Sequence, residues 1–475
     1  MKPIRLFLLL FLAFFYFENS TAQTVNSKLA EALQHTLDSM HQVLNIKGLG
    51  ASLQFSNDAV WAGGSGISSI SPLDSIGPEH AFAVASTTKT ITAACILQLV
   101  DEGVLTLNDS LHHWLPTFNF INPNITIHQL LRHQSGVYDV LLNPSFQPQM
   151  SANVNQIWTL EQIISTFVQA PVFQPGANWG YSNTNYLLLG MIIESATGNP
   201  YWQEFETRFF NPLGLDSFSQ PAFNPLPTEV AHLWLDITGD GIVDDSHYLF
   251  STWNSFFSGV GPAGAYFATP SDMARWMRAC MSGSLYYPAT WELAQQTIST
   301  GLPGNTKYGL GLMERQYLGF KGLGHGGDIS YSSSVIYFPE KDLSIAVHAN
   351  DANINSWALS STVIALLQVY LDCEAAITDI SKVSLPDVTT LVYPNPFTDK
   401  LTVSIDLHGG FGEVNMTMTD MLGRTVGLSF SQNDSFGKQE IVLENLESLN
   451  SGVYFLNTFL DGKPLKTDQI IKVNE

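Results

Sequence analysis

The chain is predicted to be an α/β protein, a mixed sheet flanked by helices with an inserted helical subdomain, followed by a small all-β C-terminal sandwich. Strand-like segments stand at both ends of residues 27–372 with helical periodicity between them, so one sheet must be gathered from distant parts of the chain. Beyond residue 390 the texture changes to strict apolar/polar alternation broken by Gly and Asp. The length, 475 residues, exceeds what one core supports and implies two or three domains.

The first element is a targeting segment. Lys2 and Arg5 precede an unbroken run of 12 apolar residues from Leu6 to Phe17, and Ser20-Thr21-Ala22 offers a small-residue cleavage pattern. Twelve residues fall short of the roughly 20 needed to cross a bilayer. Residues 1–22 are therefore expected to be a secretory signal peptide. Ser27 to Leu44 follows as a helix with Leu29, Leu33, Leu37 and Met40 on one stripe. Gly48 to Phe55 and Val60 to Gly63 read as strands across an Asn57-Asp58 turn, and Ser86 to Val100 as a helix apolar nearly all round. Helices then alternate with Pro- and Gly-rich loops to about residue 300.

Ser332 to Phe338 and Leu343 to His348 read as adjacent strands, before a helix from Trp357 to Leu371 that is expected to pack on the sheet. Periodicity is lost over 374–390, an expected linker between a domain at 27–373 and one at 391–475. In the latter, Leu401, Val403, Ile405 and Leu407, then Val414, Met416 and Met418, alternate with polar residues. Ile441 to Leu443 and Val453 to Leu460 complete the pattern of a small β-sandwich.

The net charge of −22 opposes binding to nucleic acid or anionic membrane, and no later stretch reads as a stable membrane span. Three cysteines, Cys95, Cys280 and Cys373, are far apart and lack metal-ligand spacing. An odd count in an exported chain argues against a disulfide framework, although one bridge remains open. Cys95 lies in an apolar helix pattern and reads as a small core residue.

The chemistry-bearing residues begin with Ser86-Thr87-Thr88-Lys89 at the head of a helix. Three residues apart, Ser86 and Lys89 share a helix face, and a desolvated lysine can activate a serine hydroxyl. At a helix N-terminus the free backbone N–H groups favour developing negative charge. Helix capping by Ser86 is the plainer alternative. Tyr181-Ser182-Asn183 supplies a phenol able to relay a proton and an amide able to hold a carbonyl, though a buried tyrosine is commonly structural. His325-Gly326-Gly327 precedes a strand and carries little bulk, so an extended substrate could lie along that edge; alone it would be an ordinary turn.

Together these three motifs resemble those of the serine β-lactamase and penicillin-binding-protein superfamily, most closely the branch of class C β-lactamases, D-alanyl-D-alanine carboxypeptidases, esterases and D-aminopeptidases. Leu130 to Gly136, Tyr181 to Gly198, Gly264 to Met273, Tyr308 to Gly311 and Gly324 to Phe338 agree with that branch. The resemblance implies an exported serine hydrolase that forms a covalent acyl-enzyme on an ester, amide or peptide bond. Ser86 would be the nucleophile, Lys89 its proton acceptor and Tyr181 a base or relay. Asn183 would orient the substrate carbonyl, with His325, Gly326 and Gly327 beside the substrate. The backbone N–H groups of Ser86 and Asp328 would form the oxyanion hole.

The chain departs from class C enzymes in having His325-Gly326-Gly327 for Lys-Thr-Gly. A substrate carboxylate then loses a hydroxyl and a full cation and meets Asp328, so weak β-lactamase activity is expected. His325 is expected to set an acid limb near pH ~6.5. The rival reading is a non-catalytic surface protein that keeps the fold for ligand binding. The sequence contains no G-x-S-x-G, H-E-x-x-H or H-x-H pattern, which removes other common hydrolase classes.

No cofactor is required. Asp236, Thr238, Asp240 and Asp244 space oxygens as an EF-hand loop begins, but His247 stands where its bidentate Glu belongs. A solvated acidic turn and a structural calcium loop are both open. The final domain resembles the C-terminal sorting domain of type IX secretion cargo in the Bacteroidetes group. The resemblance rests on Val392 to Phe397, Asp420 to Arg424, Gly452-Val453-Tyr454 and Ile470 to Val473. It implies passage through the periplasm, the type IX secretion machinery as partner, and a secreted or surface-held product.

Overall fold

The computed structural model describes residues 25–473 except 228, 248–252, 383–388, 421–424, 445 and 461–462. The expected signal segment, part of the expected linker and residues 421–424 of the sorting motif lie outside the described residues. The chain divides into two compact units, Met1–Cys373 and Glu374–Glu475.

The first unit is built on a nine-stranded sheet. Its strands are β1 (Gly48–Gln54), β2 (Val60–Ile70) and β3 (Leu73–Ser75) from the start of the chain. After the short β4 (Phe82–Ala83), β5 (Trp234–Leu235), β6 (Asp244–Asp245) and β7 (Phe267–Ala268) come β8 (Ile298–Ser299), β9 (Lys307–Tyr308), β10 (Met313–Tyr317), β11 (Phe320–Ile329), β12 (Tyr331–Phe338) and β13 (Leu343–Ala349). The sheet order is β3-β2-β1-β13-β12-β11-β10-β9-β8. Every pairing along it is antiparallel, where a mixed sheet was expected. The reason is local: β10 to β13 follow one another through tight turns, and the early strand β1 enters beside β13 running against it.

Alternation along the strands feeds two cores. Leu343, Ile345 and Val347 of β13 join Leu33 and Leu37 of helix α1 (Ser27–Leu44) in one. Ala346 points into the other, and the His348 ring packs on Phe82 at 5.6 Å. The larger core belongs to the inserted helices, chiefly α2 (Lys89–Asp101), α3 (Asn183–Thr197), α4 (Asn254–Gly264) and α5 (Pro270–Met281). Cys95 is fully buried there as a free thiol. The final helix α6 (Ser356–Lys382) lays Leu359, Val363, Leu366 and Leu367 on the sheet. It passes Leu371 and takes up part of 374–390, because the polar residues after Leu371 include no Pro or Gly to stop it.

In the second unit β14 (Thr389–Tyr393), β15 (Leu401–Asp420), β16 (Thr425–Leu443), β17 (Gly452–Leu460) and β18 (Lys463–Lys472) bond into one five-stranded antiparallel sheet. Two strands are far longer than the short ones expected. The register of β15 against β16 breaks between Asp406 and Phe411, and its first half pairs β14 while its second pairs β17. Leu401, Val403, Ile405, Met416, Met418, Leu456 and Ile470 form a core of their own.

Candidate active site

The site lies where the inserted helices meet the unpaired edge of β11. β4 delivers the chain to a single 3-10 turn, Ala85–Thr88, and α2 begins only at Lys89. Ser86, where the sequence placed the helix start, thus lies in the turn just before α2. Ala85 holds φ at +49°, a conformation costly for a residue with a Cβ, and this sharp turn presents Ser86 half-exposed. The turn is fixed from β12, where Ser333 Oγ contacts Thr87 Oγ1 at 2.9 Å and donates to the Val84 carbonyl at 2.8 Å.

Lys89 is wholly buried, and its Nζ contacts Ser86 Oγ (3.0 Å), Asn183 Oδ1 (2.7 Å) and the Ala263 carbonyl (2.7 Å). That carbonyl belongs to the last turn of α4, where helical partners run out. Burial lowers the Lys89 pKa to about 7, while the carboxylate of Asp139 opposes the shift. A neutral amine has two N–H bonds and one lone pair. Asn183 Oδ1 and the Ala263 carbonyl can only accept, so they take both N–H bonds. The lone pair is left facing Ser86, the one neighbour of the three with a proton to give.

Tyr181 sits over the same amine, with Lys89 Nζ 4.9 Å from its ring centroid. Burial pushes its pKa well above the ordinary tyrosine value, while the Ser86 side chain acts to lower it. Asn183 opens α3, and its Nδ2 donates to Asp139 Oδ2 at 2.9 Å. One Nδ2 proton remains for a ligand.

Two residues that sequence reasoning passed over support this group. Asp139 is buried behind Asn183 and also accepts from the Leu141 N–H at 3.0 Å. His133, at φ +58°, is buried beside Tyr181 with ring centroids 4.3 Å apart. Its Nδ1 accepts from the Ser182 N–H (3.2 Å) and faces Asn185 Nδ2 (3.0 Å), so one ring grips three positions of the Tyr181–Asn185 segment. The Leu130–Gly136 stretch was singled out, but contacts spanning some 50 residues leave no local mark by which His133 could be assigned.

On β11, register with β10 runs only from Phe320 to Gly324, so residues 325–329 keep one edge free of a partner strand among the described residues. Gly327 faces the Ser86 turn: a Cβ there would lie 2.8 Å from Ser86 N and closer still to the Val84 carbonyl. His325 shares that face, buried, with Nε2 at 3.0 Å from Tyr308 Oη and Nδ1 at 2.5 Å from the Gly326 carbonyl. The carbonyl can only accept, so Nδ1 carries the proton and Nε2 accepts from Tyr308. Burial, with Lys89 nearby, lowers the His325 pKa to about 3. The expected acid limb near pH ~6.5 therefore cannot come from His325, and even the partial cation expected there is absent at neutral pH.

Asp328 corrects a second expectation. Alternation turns its carboxylate to the opposite face, where it accepts from Ser356 N (2.7 Å), Ser356 Oγ (2.7 Å) and Ser332 Oγ (3.0 Å) and caps α6. It contributes backbone, not a repelling side chain, to the Ser86 side. The acidic loop lies elsewhere. Asp236 holds the amides of Gly239 (2.6 Å) and Gly241 (2.8 Å), Asp240 that of Ile242 and Asp244 that of Ile237. Each of these carboxylates is engaged by backbone amides of its own turn.

A serine facing the lone pair of a buried lysine, between a helical insertion and a free sheet edge, defines a protein of the serine penicillin-recognising class. The chain belongs to the Beta-lactamase family, which residues 34–368 match, and residues 391–473 match the secretion system C-terminal sorting domain. It is 28% identical over 224 residues to the D-alanyl-D-alanine-carboxypeptidase/endopeptidase AmpH of Escherichia coli (strain K12), covering 45% of this chain and 52% of that protein. It is 26% identical over 239 residues to penicillin-binding protein 4* of Bacillus subtilis, covering 48% and 51%. The chain thus spans about half the length of these relatives. Among solved structures it is similar to a D-stereospecific amidohydrolase from Streptomyces sp., with 30% identity, a TM-score of 0.61, and coverage of 70% of this chain and 97% of that one. The D-amino acid amidase from Ochrobactrum anthropi SV3, complexed with L-phenylalanine amide, gives 25%, 0.64, 73% and 99%.

Proposed function

We propose that this protein is an exported serine hydrolase that cleaves an amide, ester or peptide bond through a covalent acyl-enzyme. The observation that carries the reading is the lone pair of Lys89 left for the Ser86 hydroxyl. As Ser86 Oγ bonds to the substrate carbonyl carbon, its proton passes to Lys89 Nζ. The resulting oxyanion is held by the N–H groups of Ser86 and Asp328, and the spare Asn183 Nδ2 proton orients the substrate. Tyr181, whose phenolate is disfavoured, acts as a neutral relay: it hands a proton to the leaving amine or alcohol as that bond breaks and takes one from Lys89. Water, deprotonated by the same pair, then releases the acid and restores Ser86. No cofactor enters these steps.

The substrate is expected to carry no carboxylate at the reacting end. His325 is uncharged, Lys89 is committed to the nucleophile, and Asp139 adds a nearby negative charge. An amide with a free amino group, as the name of the D-amino acid amidase suggests, suits that field. Fluorophosphonate labelling lost in Ser86→Ala tests the chemistry, and unchanged labelling would defeat it. Comparing kcat/KM on nitrocefin, a p-nitrophenyl ester and D-amino-acid amides tests the substrate class. We further propose export through the periplasm by the type IX secretion machinery, with removal of residues 391–475. Mass spectrometry of the secreted protein reads this directly, since an intact C-terminus contradicts removal.

A further inference from the structure

Asp74, His80 and Glu229 lie outside the serine site, and no step above uses them. Their ligand atoms lie within 4.8 Å of one another. His80 is only 2% exposed, Asp74 is half-buried on β3, and Glu229 is exposed. The chain brings them together by backbone bonding, because Ala81 N donates to the Glu229 carbonyl and Ala231 N to the Ala81 carbonyl, both at 2.9 Å. Asp74 and Glu229 also line a cavity of about 480 Å³ shared with His232 and His247.

We propose that Asp74, His80 and Glu229 hold one first-row divalent cation, with Zn2+ as the representative. One imidazole and two carboxylates are a donor set such ions accept, and three protein ligands leave positions for water from the cavity. Asp74 Oδ2 and His80 Nε2 are 2.8 Å apart. Bonds of about 2.0–2.1 Å require that gap to open by roughly 0.5 Å. Glu229, being exposed, is free to swing inward.

The ring's proton decides whether the site can work. Gly77 N–H donates to His80 Nδ1 at 3.0 Å, so without an ion the proton sits on Nε2 and points at Asp74. A cation taking the Nε2 lone pair moves that proton to Nδ1. Glu79 Oε1 stands 3.6 Å from Nδ1, and it packs so closely on Gly77 that a Cβ there would strike it. Glu79 can accept from both the ring and the displaced Gly77 N–H, the outer carboxylate of a carboxylate–histidine–metal arrangement. Three carboxylates around one imidazole also leave a negative charge that a cation offsets. The ion would clamp β3 and residues 229–231 to His80, which lies six residues before Ser86.

Tag-free full-length protein, dialysed against chelator, is titrated with Zn2+ by calorimetry and its metal content read by mass spectrometry. One ion per chain is expected, with a melting temperature raised by a few degrees at saturation. Glu229→Gln, an exposed change that leaves the fold intact, should weaken binding at least tenfold. Glu79→Gln should weaken it about 10-fold or more by losing the carboxylate that receives the ring proton. Uptake well below one equivalent at about 100 μM Zn2+, or Glu229→Gln binding as the wild type does, overturns the proposal. Repeating the titration in Ser86→Ala keeps this outcome separate from the fate of the hydrolase reading.

Discussion

At the scale of single residues, the site is a chain of polar contacts, Asp139 to Asn183 to Lys89 to Ser86. Its pH behaviour follows from the lysine. Acylation needs neutral Lys89, whose pKa is lowered to about 7, so kcat/KM should fall about tenfold per unit below that pH and level off above it. His325 is neutral on both sides of this limb, so His325→Gln should leave its position unchanged in a pH profile of ester hydrolysis; a shifted limb would contradict the assignment. Asp139→Asn is different. It removes a charge that raises the Lys89 pKa, so the limb should move to lower pH, while the new side-chain oxygen can still accept from Asn183. A merely structural Asp139 would lower the rate at every pH and leave the limb in place.

At the scale of elements, catalysis depends on how closely β11 approaches the 3-10 turn of Ser86. The two backbones proposed to share the oxyanion pack with only the hydrogen of Gly327 between them. Gly327→Ala should therefore force β11 from the turn and cost about 10²-fold in kcat, the scale of one lost oxyanion donor. The rise in KM should be smaller, and the melting temperature should drop by several degrees. Equal kcat in the variant would mean that β11 does not supply the donor. The same alternation that aims Gly327 inward sends Asp328 to cap α6, so one strand serves chemistry on one face and helix anchoring on the other.

At the scale of the whole molecule, the sequence showed what is local and hid what is assembled. Ser86 and Lys89 were legible because their spacing is itself the geometry, and α1 was legible end to end because its apolar stripe is regular. The direction of Asp328 could have been read from strand alternation and was not. The roles of His133 and Asp139 arise from contacts across 44 to 52 residues of sequence, and the low pKa of His325 from burial created by Tyr308 and its neighbours. The long strands of the second unit were hidden by glycines that look like turns at 409–410. Its separate apolar patterning has a consequence. Among the described residues, the clusters of the first unit draw on positions up to Leu371 and that of the second on Val392 to Ile470. Ending the chain after Lys382 removes a core that the hydrolase side chains do not share, and every proposed catalytic residue lies before that point. The shortened protein should keep kcat/KM within about twofold on the ester and melt within a few degrees of the first transition of the full chain. Loss of activity or of cooperative melting on truncation would mean that residues beyond Lys382 contribute to the hydrolase fold.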